Sequence, residues 1–400
     1  MRTKKLAYPI PVFEFVALMA MMMALVALSI DSLLPALPEI AVSLNQEGSN
    51  DIQLIISMLF LGLAIGQMIY GTLSDFIGRK PAVYLGLLLF FLGCLISFFA
   101  EILPVMLAGR LLQGIGLAAP RIISIALIRD QYEGSVMAKV MSFVMSIFII
   151  VPAIAPALGQ GVLLFANWRF IFLLLSLVAV IILIWFMLRQ PETLEAENRM
   201  PFSLNRIFKA IGQICSNRVA LGYTIVAGFV ASMFLGFLSS IQQVFEAYGK
   251  AEIFAGGFAV FALFIGSASL LNAKIVVRKG MRFIVNVALG ILFSISLIYL
   301  ALSFFGQLDF WVVTIFLVIS LFCVGLLFGN LNALAMEPLG HVAGIGSSLV
   351  GSLSTFISVP FGILIGLSFN GTAIPLITGF LVFSLLSLGT IFWIGKAGKG

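Results

Sequence analysis

Long apolar runs alternate with short polar breaks along the whole chain. The breaks fall at charges, prolines and polar clusters, and they delimit runs at 14–35, 53–73, 82–100, 104–128, 136–160, 168–188, 219–241, 254–275, 283–305, 310–333, 345–368 and 373–394. Each run is close to the ~20 residues that a helix needs to cross the hydrocarbon of a bilayer. The runs are unbroken, without apolar–polar alternation, so they predict helices and exclude a transmembrane β-barrel. The longest polar stretch, Arg189 to Arg218, lies mid-chain. It divides the protein into a first half (1–188), a linker (189–218) and a second half (219–400). The expectation is an all-α integral membrane protein with twelve transmembrane helices in two pseudo-symmetric six-helix halves.

Composition narrows the function classes. Hydrophobic residues make up 62% of the 400 and charged residues 10%, against about 25% charged in soluble domains. An ordinary soluble enzyme, a disordered chain and a single-anchor protein are excluded. With both termini inside, 18 of the 22 lysines and arginines fall on the cytoplasmic side, which sets the orientation. Arg169 and Lys250 fall outside, and Arg110 and Arg121 lie within a span. The net charge of +6 then describes a basic rim facing anionic lipid and implies no nucleic-acid binding. No small-residue cleavage site follows the first run, which is expected to remain as a span. Cys94, Cys215 and Cys323 are scattered, and His341 is the single histidine. Neither a disulfide framework nor a metal site is expected, and an intramembrane hydrolase would need a clustered nucleophile and base. No cofactor is expected.

The halves echo each other. Arg79-Lys80-Pro81 recurs as Arg278-Lys279-Gly280 after 199 residues, and Pro156 as Pro360 after 204. A duplicated six-span unit is the plan of many secondary transporters, which place their site near the bilayer midplane.

Between the second and third runs stands Gly71-Thr-Leu-Ser-Asp75-Phe-Ile-Gly78-Arg79-Lys80-Pro81. The glycines permit a tight turn or close approach. Asp75 and Arg79 are four apart and can pair, and Asp75 can also face a helix N-terminus. This loop closely resembles the signature of the major facilitator superfamily. The resemblance implies the major facilitator fold and a conformational latch of Gly71, Asp75, Gly78, Arg79 and Asp130. The second-half copy, Lys274 to Arg282, lacks the aspartate, so no matching latch is expected there.

In the first run, Asp31-Ser-Leu-Leu-Pro35-Ala-Leu-Pro38 resembles a stretch of the bicyclomycin/chloramphenicol-resistance (Bcr/CflA-type) drug:proton antiporters. Arg110-Leu-Leu-Gln113-Gly-Ile-Gly116, Arg129-Asp130, Asn167-Trp168-Arg169 and the proline-rich Val151 to Gly159 agree with it. The resemblance covers the first half; the second matches in layout. It implies proton-coupled efflux of small amphipathic compounds across a bacterial inner membrane, driven by the proton gradient in a monomeric carrier. Pro152 and Pro156 are expected to bend their helix.

A carboxylate inside a span costs a few kcal/mol when charged, so Asp31 is the expected proton carrier. It is placed roughly 6–9 Å from the outer end of its span, with Arg110 about 9 Å deep in a neighbour, and the two are expected to interact. Arg121 lies eleven residues beyond Arg110, about 20° round the helix. The two share a stripe that should face a cavity, and Arg121 can bind an anion. That leaves open a dedicated transporter of an anionic metabolite or siderophore. Gln113, Gln242 and Asn330 complete the expected substrate contacts, although buried amides also link helices.

Overall fold

The computed structural model describes residues 10–201 and 203–395. Arg2, Lys4, Lys5, Lys396 and Lys399, counted above on the cytoplasmic side, lie outside them. The described residues form fourteen α-helices. In the first half these are α1 (Val12–Asp31), α2 (Leu37–Ser43), α3 (Leu54–Ile77), α4 (Arg79–Phe98), α5 (Leu103–Gln131), α6 (Gly134–Leu163) and α7 (Arg169–Arg189). After α8 (Leu204–Ser216) come α9 (Arg218–Ala247), α10 (Phe254–Lys279), α11 (Met281–Ser303), α12 (Phe310–Met336), α13 (Ala343–Leu367) and α14 (Ile374–Gly395). Among the described residues, twelve helical stretches are long and apolar enough to cross a membrane. They coincide with the twelve predicted runs. His341 falls in the 3₁₀ turn Glu337–Val342.

Two compact units result. One comprises residues 1–45 and 58–207, the other 46–57 and 208–400. The short segment 46–57, at the start of α3, thus packs with the second unit. Within the first unit α1 packs on α5, α6 and α7, and α4 packs on α5 and α7. Within the second, α9 packs on α12, α13 and α14, and α11 on α12 and α14. Every helix pair in one unit has its counterpart in the other, so the repeat seen at an offset near 200 residues is a repeat of packing. In a lipid-solvated protein helices associate through close van der Waals approach, which small residues permit. Gly62 and Gly114 show this: a Cβ on either would overlap backbone of the opposite helix where α3 crosses α5. Gly325 similarly seats α12 on the Ile265 turn of α10, whereas a Cβ on Gly329 would meet nothing within 4 Å.

Candidate transport site

Polar groups inside apolar helices need partners, because an unpaired one in a low dielectric is costly. In the first unit Arg110 is fully buried in α5. Its guanidinium donates to Gln113 Oε1 at 2.7 Å and to the Ser29 carbonyl at 3.1 Å. Gln113 donates in turn to the Gly93 carbonyl at 3.1 Å and to Ser97 Oγ at 2.9 Å. One network therefore ties α1, α4 and α5. Gln113, expected among the substrate contacts, is instead wholly buried with its amide bonded inside the protein. Its place is to hold Arg110.

Helix α1 stops at Asp31 for a local reason. Pro35 has no N–H to donate to the Asp31 carbonyl, so the α-ladder breaks there. The chain passes through the 3₁₀ turn Leu34–Ala36 and resumes as α2. Helix α6 closes on this break. A Cβ on Gly159 would overlap the Ser32 carbonyl, so glycine is required for the approach. Asp31 itself is 5% exposed. Among the described residues its carboxylate forms no ion pair.

Two expectations change here. The Asp31–Arg110 contact is not formed, because Arg110 reaches the Ser29 carbonyl two residues earlier. Asp31 also lies deeper than expected. The first apolar stretch runs on through the prolines to Ser43, twelve residues beyond Asp31, or up to about 18 Å at helical rise.

Arg121 lies in the middle of α5, directly after Pro120, and is partly exposed. Among the described residues its guanidinium has no ion pair. In the second unit Asn330 donates to Asn272 Oδ1 at 2.7 Å and to the Leu326 carbonyl at 2.8 Å. Both of its amide donors link or close helices, which favours the helix-linking role left open for it. Gln242 is buried, and its Oε1 has no partner among the described residues. Pro152 and Pro156 lie inside α6, which runs through both without interruption.

The glycine-rich loop forms a compact ionic cluster. Gly78 separates α3 from α4 at φ 103°, a left-handed conformation suited to glycine. Although the turn is not helical, Arg79 pairs with Asp75 at 2.7 Å, and it also reaches Asp130 at 3.1 Å and Ser74 Oγ at 2.7 Å. Gly71 enters through its carbonyl, which accepts from Ser74 Oγ. Sequence reasoning missed two further members. Glu192 accepts the backbone N–H groups of Arg79 and Lys80, both at 3.0 Å, and so caps α4. Thr193 donates to Asp130 Oδ2 at 2.8 Å. The Met200 N–H bonds the Asp75 carbonyl at 3.0 Å, so the segment following α7 is strapped across the loop. The signal was a lone Pro191-Glu192-Thr193 just past the α7 arginine, an acid within reach of an uncapped helix N-terminus.

The second unit carries a reduced version. Arg282, at the start of α11, meets Glu337, just past α12, at 3.3 Å, with both side chains more than half exposed. At the same end of α1, Glu14 takes a bidentate pair from Arg189 at 2.6 and 2.7 Å and a bond from Trp185 at 3.1 Å. No cluster of three or more His, Cys, Asp or Glu that could hold a metal occurs among the described residues.

Twelve apolar helices, a duplicated packing plan and ionisable side chains within the spans define a polytopic carrier protein. Residues 19–363 match the Major Facilitator Superfamily, and the chain belongs to that superfamily. It is a transport protein and not an enzyme. It is 30% identical over 389 residues to the uncharacterized MFS-type transporter YdgK of Bacillus subtilis, covering 94% of each chain. It is 29% identical over 369 residues to the bicyclomycin resistance protein homolog of Haemophilus influenzae, covering 91% of this chain and 92% of the other. Its fold resembles the crystal structure of a D-xylose-proton symporter, with a TM-score of 0.74 at 14% identity over 95% of this chain and 97% of that one.

Proposed function

We propose that this transporter is a proton-coupled exporter of small amphipathic compounds. It works as a monomer by alternating access between its two six-helix units, in a bacterial inner membrane with both termini in the cytoplasm. The observation that carries the proposal is Asp31: a carboxylate buried at the broken end of α1, without an ion pair among the described residues. The similarity to a bicyclomycin resistance protein homolog supports the drug-like substrate class.

An unpaired buried carboxylate is costly when charged. Its charge state therefore answers to proton supply and to any compound that settles beside it. Arg110 is bonded to the α1 backbone only two residues away. On ionisation of Asp31 it can exchange that carbonyl for the carboxylate, and the exchange alters how α1 sits on α5. The cluster around Arg79 acts as the latch, and α6, with Pro152 and Pro156, supplies the pliable helix. The proton gradient is the energy source.

A second reading, a dedicated transporter of an anionic metabolite or siderophore, is favoured by Arg121. A guanidinium in mid-helix without an ion pair suits a ligand carboxylate or phosphate.

The test uses purified protein in liposomes and follows internal pH while cationic, neutral and anionic compounds are added. Proton movement evoked by several unrelated amphipathic compounds and lost in Asp31→Asn is the expected result. A response confined to one anion and lost in Arg121→Ala would move the assignment to the second reading. Coupling that survives in Asp31→Asn would overturn the proposed proton carrier.

A further inference from the structure

Unpartnered polar atoms in the second unit gather where the start of α3 meets α9 and the end of α13. Asn50 anchors the junction. Its amide donates to the Leu367 and Phe369 carbonyls at 2.9 and 2.8 Å, satisfying the end of α13, and its Oδ1 accepts from Gln243 Nε2 at 3.1 Å. One turn along α3 lies Gln53, only 2% exposed, with both amide atoms unpartnered among the described residues. A further turn on, Ser57 is fully buried, and its Oγ is likewise unpartnered. On α9, Ser239 Oγ and Gln243 Oε1 are in the same condition.

Proximity follows from Gly366. A Cβ built there would lie 3.1 Å from Ser239 Cβ and 3.4 Å from Gln53 Cβ. The missing side chain leaves a recess between the two polar residues. Helix geometry aligns the rest: 50, 53 and 57 share a face of the α3 start, and 239 and 243 share a face of α9.

Buried amides and hydroxyls are nearly always hydrogen-bonded, to protein or to held water. Five unpartnered atoms in one seam are far outside that pattern. The residues contribute donors and acceptors but no charge. We infer that the recess lined by Gln53, Ser57, Ser239, Gln243 and Gly366 is a binding site for uncharged hydrogen-bonding groups, either held water or the hydroxyl or amide of a transported compound. Each such group can bridge Gln53 to Ser239 as both donor and acceptor, which an ion cannot do.

Thermal unfolding of the full chain in detergent tests this, with and without bicyclomycin as probe, on wild type, Gln53→Leu and Ser239→Ala. Removing a polar atom that truly lacks a partner stabilises a protein, whereas removing one bonded to a held ligand destabilises it. A Tm lower than wild type by about 2 °C or more in the unliganded variants supports the site with water as occupant. An unliganded Tm that is unchanged or higher, with a bicyclomycin-induced rise present in wild type and lost in the variants, supports it with the compound as occupant. A Tm unchanged or raised, with the response to bicyclomycin the same as in wild type, overturns the inference. Ser239→Ala is the milder change and reads the same sign should Gln53→Leu fail to fold. The water arm does not depend on proton-coupled export, so its outcome stands apart from the liposome test.

Discussion

Glu192 offers the sharpest check on how the loop cluster is built, because its role rests on two backbone bonds and nothing in the helix it caps. Glu192→Ala leaves the Arg79 and Lys80 N–H groups without their acceptor. Loss of a capping side chain costs about 1 kcal/mol. Loss of a negative charge at a helix N-terminus adds about 0.3–1 kcal/mol. The carboxylate also accepts the Thr193 and Leu194 N–H groups at 2.9 and 3.0 Å, so the strap that carries Thr193 to Asp130 loosens as well. The sum is about 1.5–2 kcal/mol. At about 2–4 °C per kcal/mol for a unit of this size, the Tm in detergent should fall by about 3–8 °C. Glu192→Gln keeps an acceptor oxygen and gives up the charge, so about half that fall is expected. Glu197→Ala, on an exposed side chain of the same segment, is the control. If Glu192→Ala unfolds within about 1 °C of Glu197→Ala, the capping argument is wrong, and the carboxylate is a solvated surface group.

Two further substitutions probe the site directly. Gln113→Leu strands the Arg110 guanidinium in a fully buried position, at a cost of about 2–4 kcal/mol. A clearly lowered Tm is therefore expected, and an unchanged one would return Gln113 to the substrate contacts. Gly159→Ala forces α6 away from the Ser32 carbonyl and should cost about 1–3 kcal/mol through overpacking together with most of the transport activity. Gly161→Ala, where a Cβ meets nothing within 4 Å, should leave both Tm and transport near wild type. Equal behaviour of the two alanines would remove the case for a close α1–α6 contact.

What the sequence made legible follows from the range over which each feature is decided. Span number and position depend on the length of an apolar run, a local property, and the twelve runs reappear as the twelve candidate spans. The continuation of the first span to Ser43 was not legible, because Pro35 and Pro38 read as the start of a loop. Only packing against α6 shows that the chain resumes a helix beyond them. The partner of Arg110 was equally hidden. A carboxylate two residues away in sequence is the obvious choice for a guanidinium, but the structure supplies a backbone carbonyl and a glutamine instead. The second-half latch shows why residue-by-residue comparison of repeats misleads. Searching the Lys274–Arg282 loop for an aspartate found none, yet Arg282 and Glu337 join the start of α11 to the end of α12 as Arg79 and Asp130 join α4 to α5. What duplication preserved is an arginine at one helix start and an acid at the next helix end. That constraint acts on charge and position, so glutamate satisfies it from a residue outside the loop. Burial distinguishes the two copies: Arg79 is about nine-tenths shielded and has Asp75 as a second acid, whereas Arg282 has neither advantage. An exposed pair of this kind contributes little to stability. The first unit therefore carries the firmer of the two clusters, with Glu192 and Thr193 holding a further segment of the same unit against it.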